Sequence, residues 1–315
     1  GDPCHVRASF RTGANAAAGR PLCVTQGIPT AIVDTYNQNN VAMPSVTQGN
    51  PNLGPETAKS YTVGFVFQPT MLGEAFRRIS LSVDYYNIDI VNTIASLGVQ
   101  NTLNKCFNAD GSNPSYSATN FYCSLITRNT LNGQVAQATQ PLLNLGGYRT
   151  DGVDAQFDWA LPLNALGLGS GAGDLTFNLT ANYLNKIEIS QLPGAAYQNF
   201  TGTIGTDPYP KWKFSGSLTY DNGPFQAGLR WRHTAGMRDS TIVTNPASTV
   251  PGPGAADYFD LFARIRAGEH YEFRFGVTNL GNLQPEQVGA LRGFTNGGIY
   301  DVIGRAYYAG AKVKF

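Results

Sequence analysis

Lys211-Trp212-Lys213-Phe214-Ser215-Gly216-Ser217-Leu218-Thr219-Tyr220-Asp221-Asn222-Gly223-Pro224-Phe225-Gln226-Ala227-Gly228-Leu229-Arg230-Trp231-Arg232-His233 reads as two strands around a tight turn. Trp212, Phe214, Leu218 and Tyr220 alternate with Lys213, Ser215, Ser217 and Thr219. After Asp221-Asn222-Gly223-Pro224, Phe225, Ala227, Leu229 and Trp231 alternate with Gln226, Arg230 and Arg232. Side chains of a strand point to opposite faces with period two, so each half has one apolar and one polar face. A turn this short joins them as a hairpin.

The same period recurs on both sides. The pattern predicts strands near 60–68, 79–90, 149–160, 174–184, 211–220, 225–233, 257–266, 270–278 and 304–315, while helical periodicity is nearly absent. The connections alternate strictly. Short turns follow the first, third, fifth and seventh strands. Long stretches rich in Asn, Gly, Thr, Pro and Gln occupy 1–58, 91–148, 184–210, 234–256 and 279–303. Such sorting places all turns at one end and all loops at the other, as in transmembrane antiparallel barrels.

Charge supports that reading. Only 14% of the 315 residues are charged, against roughly 25% in an average soluble protein. The formal net charge is +1, which gives no basic excess to neutralise phosphates and argues against nucleic-acid binding. No stretch approaches the ~18 apolar residues of a transmembrane helix. The polar strand faces carry Asp154, Asp158, Lys213, Arg230, Arg264, Glu272 and Arg274; the apolar faces carry no charge. With strands running alternately down and up, Tyr85, Tyr183, Trp212, Trp231, Phe259 and Tyr307 gather toward the long loops. Phe67, Trp159, Tyr220, Phe225, Tyr271 and Phe315 gather toward the short turns. Two aromatic girdles around a Leu/Val/Ala band suit two lipid–water interfaces. A soluble β-sandwich is the competing architecture.

The four cysteines fall as two close pairs, Cys4 with Cys23 and Cys106 with Cys123, both in long loops. The three histidines are far apart, so a zinc site is not expected, and two local disulfides in an oxidising compartment are. No catalytic constellation stands out, and no cofactor is expected. Gly167-Leu168-Gly169-Ser170-Gly171-Ala172 fits a dinucleotide-binding pattern by letter, but lies in a turn between two amphipathic strands. His233 is in phase with the apolar face.

Four segments resemble one family. Asn50-Pro51-Asn52-Leu53-Gly54-Pro55-Glu56, Leu81-Ser82-Val83-Asp84-Tyr85-Tyr86-Asn87-Ile88, Gly276-Val277-Thr278-Asn279-Leu280-Gly281-Asn282 and the closing Gly304–Phe315 run are similar to motifs of TonB-dependent outer-membrane receptors. The resemblance implies an up-and-down barrel of about 22 strands with a plug inside it. Nine strands would be its C-terminal portion (59–315), behind an extracellular loop (1–58) with its own disulfide, the plug lying outside this chain. An odd, open set of strands would leave edges in lipid, so the N-terminal barrel half and plug are expected partners. The other expected partners are a TonB-type coupling protein, outer-membrane lipid and lipopolysaccharide, a small-molecule ligand, and the outer-membrane assembly machinery. Tyr307, Val313 and Phe315 would be the signal that machinery reads.

The implied activity is uptake of a scarce solute (siderophore-iron, cobalamin or oligosaccharide), not enzymatic catalysis. A passive porin or a structural surface anchor is the alternative. On this reading Lys211, Lys213, Arg230 and Arg232 would attract an anionic ligand near the loop end. Arg264, Arg266, Glu272 and Arg274 would face the plug near the turn end.

Overall fold

The computed structural model describes residues 1–39, 42–69, 71–289 and 295–315. The chain divides into two compact units. One comprises Gly1–Thr57, Val91–Gly147 and Ser190–Ala195; the other comprises Ala58–Ile90, Tyr148–Ile189 and Ala196–Phe315.

The second unit is an antiparallel meander of nine long strands: β1 (Thr57–Phe67), β2 (Ile79–Val91), β3 (Gly147–Pro162), β4 (Asp174–Ser190), β5 (Trp212–Asp221), β6 (Phe225–Thr234), β7 (Ala256–Ala267), β8 (Tyr271–Thr278) and β9 (Ala306–Val313). Each neighbours the next in chain order, and a two-residue strand, Gln198–Asn199, pairs with β4. β3 and β4 extend past the expected limits at their loop ends. β9 is shorter than expected and leaves Lys314 and Phe315 beyond it, although the Lys314 N–H still bonds the His270 carbonyl at 2.8 Å. Turns at 68–78, 163–173, 222–224 and 268–270 alternate with the long connections. The Gly167–Ala172 run sits in the second of these turns, with Gly167 at φ 82°, not between a strand and a long helix. Among the described residues no helix is long and apolar enough to cross a membrane.

The register aligns the apolar faces. Leu218 lies opposite Phe177 and Leu229, Leu229 opposite Leu261, Trp231 opposite Phe259, and Phe275 opposite Ala263 and Ala309. Among the described residues no protein layer covers this face: Leu218 is 48% exposed, Phe275 45% and Tyr307 73%. Each large apolar side chain left in water forfeits about 1.5–3 kcal/mol, so a face of this extent is built for a non-aqueous medium. Rings cross the strands toward the loop end. Tyr183 and Trp212 have centroids 4.4 Å apart, and Phe214 stacks on Trp212 and on Trp231 at 5.5 and 5.8 Å. Toward the turns, Phe76 stacks on Trp159 at 6.0 Å and Tyr220 meets Phe225 at 6.4 Å.

On the opposite face two rings lie over glycines of the neighbouring strand. Phe262 covers its cross-strand partner Gly228, and Tyr308 covers Gly276. A Cβ on Gly276 would meet the Tyr308 ring at 2.2 Å, and one on Gly228 would meet Phe262 at 2.3 Å. Aromatic–glycine pairs of this kind pin register between strands.

The other unit is where the sequence reading needs correction. Segment 1–58 was expected as a loop; its described residues up to Thr57 join 91–147 in one compact body. Helices Ala16–Thr25 and Val99–Cys106 bury Leu22, Cys23, Leu103 and Cys106. Ser45–Gln48 runs parallel to Ala138–Pro141 of the strand Val135–Asn144, which also pairs with Ile94–Ser96 and Ile126–Arg128. Both disulfides, Cys4–Cys23 and Cys106–Cys123, lie in one core with Leu22, Ile28, Val33 and Phe107. The helices escaped periodicity analysis because the first contains Gly19 and Pro21, both poor helix interiors, and is held by burial instead.

One buried ion pair joins the first two of this unit's three sequence segments. Arg128 donates two bonds to the Asp2 carboxylate (2.6 and 2.8 Å), with both side chains fully buried. The Tyr36 hydroxyl and Cys4 N–H also donate to that carboxylate, and Arg128 donates to the Gly133 carbonyl. Burial pushes the Asp2 carboxyl up, but Arg128 and these donors outweigh it and hold it below the ordinary carboxylate range.

Asp2 stabilises the unit fully above the ordinary Asp range, and that contribution is lost as pH falls through its lowered folded value. Arg128→Met leaves a buried unpaired carboxylate and is expected to cost about 3–5 kcal/mol and to reverse the acid dependence. Hydrogen exchange at amides 126–138 measures both effects; unchanged protection in the variant contradicts the assignment. Gly276→Val is expected to lose about 1–3 kcal/mol through overpacking and to lower the folded, heat-modifiable fraction on gels. Gly216→Ala, where the nearest neighbours are 3.5 Å from the added carbon, should leave that fraction unchanged.

Candidate functional site

The expected ligand-facing set does not stay together. Lys213 and Arg230 lie on the polar face, and among the described residues neither has a carboxylate partner. Arg232 is committed: it donates to Asp260 at 3.3 Å, and its guanidinium lies 5.1 Å from the Tyr258 ring centre. Lys211 falls before β5, and its ammonium sits 5.6 Å from the centre of the Tyr183 ring on the apolar face. That places it with the loop-end aromatic row and corrects its expected position on the polar wall. Alternation holds only inside a strand, and Lys211 precedes the first paired residue of β5.

The second set forms ion pairs, two across strands and one, Arg274 with Glu272, along β8. Arg264 donates to Asp221 (3.0 Å), while Arg266 and Arg274 share Glu272 (3.3 and 2.6 Å). Arg264 and Arg274 are themselves direct cross-strand partners. Arg230 joins them: a cavity of about 340 Å³ is lined by Arg230, Arg264, Arg274, Asp260, Gln226 and Tyr308. The division into loop-end and turn-end cations therefore runs differently from the sequence reading. Asp221, Asp260 and Tyr308 were missed as members of this site. Their signal was present in the alternation, since all three are in phase with the charged face, but their partners depend on the hairpin register.

Two further acidic residues of the polar face sit on β3. Asp154 accepts from Asn182 at 2.6 Å, and Asp158 accepts from Asn178 and from Gln156. β3 and β4 thus supply a carboxylate–amide stretch, while β6 to β8 supply the five arginines 230, 232, 264, 266 and 274. His233 lies on the apolar face, with Nδ1 2.9 Å from Asp257, which also accepts from the Trp231 indole at 2.7 Å. The His233 ring rests between Phe214 and Trp231, an interfacial position rather than a catalytic one. Among the described residues no group of His, Cys, Asp and Glu is arranged to hold a metal ion. Tyr307 and Val313 lie on the apolar side of β9, and Phe315 is fully exposed beyond it.

The sequence profile described as TonB dependent receptor-like, beta-barrel, matches residues 5–280. No curated protein sequence matches the chain. Among solved structures, the fold is similar to the ferric enterobactin receptor PfeA of Pseudomonas aeruginosa, at 15% identity and a TM-score of 0.53, over 85% of this chain and 32% of that one. It is also similar to the siderophore receptor PirA of Acinetobacter baumannii (14%, TM-score 0.50, 85% and 33%). A third is the FrpB iron transporter of Neisseria meningitidis (13%, TM-score 0.51, 86% and 32%). The chain spans about a third of the length of these receptors. Together with the profile match over most of its residues, the meander identifies the chain as a member of the TonB-dependent receptor β-barrel family.

Proposed function

We propose that this chain is the C-terminal part of an outer-membrane transporter that takes up a scarce solute, driven through a TonB-type coupling protein. The observation that carries the reading is the pairing of faces: a continuous apolar face with aromatic rows at both ends, and a charged face on the same nine strands. In the proposed orientation the apolar face meets lipid and lipopolysaccharide, the long loops are extracellular and the C-terminus is periplasmic. The polar face then lines the interior, where a walled cavity strengthens the field of its cations.

The remaining strands and the plug would belong to the rest of the receptor. Lys213 and Arg230 are the wall cations available to an anionic solute, and Arg264, Arg266, Glu272 and Arg274 would face the plug. The similar structures include receptors named for ferric enterobactin and siderophores, which makes an iron chelate the first solute to test. Opening the path is proposed to follow plug movement, with no bond in the solute broken. Tyr307, Val313 and Phe315 would present the closing strand to the assembly machinery.

Deleting the gene for the full receptor should abolish uptake of one member of a panel of labelled iron chelates, cobalamin and oligosaccharides. An uncoupler that collapses the proton gradient should stop that uptake in the parent strain. Uptake that survives the uncoupler would instead support a passive porin.

A further inference from the structure

We propose that the cavity between Arg230, Arg264 and Arg274 is an oxyanion site that takes a carboxylate-class group. The inference rests on the polar face being the interior wall and gives that wall a specific binding position.

Three observations converge. First, the local charges do not balance. Five arginines (230, 232, 264, 266 and 274) face three carboxylates (Asp221, Asp260 and Glu272), and each carboxylate already has a partner. Asp260 accepts from Arg232 and from the Asn279 N–H, Asp221 from Arg264 and Gln226, and Glu272 from both Arg266 and Arg274. Among the described residues Arg230 forms no ion pair, although the register sets it opposite Asp260, whose carboxylate accepts from Arg232. Second, Arg264 and Arg274 stand directly opposite each other on paired strands. Like charges in that position repel, and an anion between them removes the repulsion. Third, the Arg264 Nε–H is buried and has no acceptor. A buried donor without a partner costs about 1–3 kcal/mol, so the site is incomplete in a way that an added oxygen would complete.

Shape agrees with charge. The cavity volume of about 340 Å³ lies at the small end of the ~300–1,000 Å³ typical of ligand sites. It suits a carboxylate with a few attached atoms. Planar guanidinium groups match a two-oxygen acceptor by paired N–H bonds. The Phe262 and Tyr308 rings, laid over Gly228 and Gly276, give the site flat walls and keep its strands in register. The carboxylate can come from an acidic side chain of the receptor's own interior segment or from a passing solute; the chemistry of recognition is the same.

The test uses the full receptor purified in detergent and has two arms. In the first, Arg264→Lys and Arg274→Lys variants keep the charge and introduce amines, and a carbodiimide then joins any contacting carboxylate. Mass spectrometry should find a cross-link from one of these positions to an Asp or Glu outside residues 211–315, which identifies a resident side chain. In the second, wild-type receptor is treated with phenylglyoxal, with and without citrate. Severalfold slower modification of Arg230, Arg264 and Arg274 in citrate identifies a solute site. Either result supports the proposal and names the source. Cross-links only to Asp221 or Glu272, together with equal modification rates with and without citrate, would overturn it. If the lysine variants fail to fold, the wild-type phenylglyoxal arm decides the matter alone. Neither arm reads solute uptake, so the site can fail while transport stands, and transport can fail while the site stands.

Discussion

Everything in the sheet unit depends on one constraint: hydrocarbon offers no hydrogen bonds. Each backbone N–H and C=O crossing it needs a partner within the protein, and antiparallel ladders supply one from strand to strand. The nine strands meet this by a plain meander in which each pairs with its neighbours in chain order. The same constraint dictates the side chains. One face must be apolar throughout its depth, with Tyr and Trp permitted where the ring reaches the polar boundary. Trp212, Phe214 and Trp231 form such a boundary, and Asp257 accepts from the Trp231 indole. It also explains the 14% charge content: half of each strand is given to a medium where charge is expensive.

The polar face solves a different problem, that of keeping arginines on a wall without scattering the strands. The solution is ion pairing: Arg264 with Asp221 and Arg232 with Asp260 tie neighbouring hairpins together, and Glu272 accepts from Arg266 across its own hairpin and from Arg274 on its own strand. The rings over Gly228 and Gly276 hold register. The loop unit is stabilised on other terms. Two disulfides and the buried Asp2–Arg128 pair close a core that local sequence would not hold. The sheet is fixed by a repetitive pattern, and the loop unit by a few long-range links.

That contrast explains what was legible. Strand count, order and facing followed from period-two alternation, because each strand repeats the rule independently; the ends of β5 and β6 were read within one residue. The aromatic rows followed from the same rule once strand direction was assigned. The loop unit was legible only in its two disulfides, which the close cysteine pairs marked; its core was not, because Asp2 and Arg128 are 126 residues apart and nothing local marks either as the other's partner. The site was legible by residue type but not by grouping. Arg230 and Arg232 are two residues apart on one face, and the register sets Arg230 opposite Asp260, yet that carboxylate accepts from Arg232 while Arg230 faces the cavity with Arg264 and Arg274. Lys211 was misplaced because alternation was carried one residue beyond the paired strand.

The central claim is that the apolar face meets lipid and the charged face meets water. All four cysteines are in disulfides, so an introduced cysteine carries a label alone. Single labels at Leu229→Cys, Leu261→Cys and Phe275→Cys, and at Gln226→Cys and Thr219→Cys on the other face, can be compared in the full receptor reconstituted in liposomes. The account predicts that fluorophores at the first three sites are quenched by brominated acyl chains and shielded from iodide, and that the last two show the opposite. Equal iodide quenching at Leu229, Leu261 and Phe275 would contradict it.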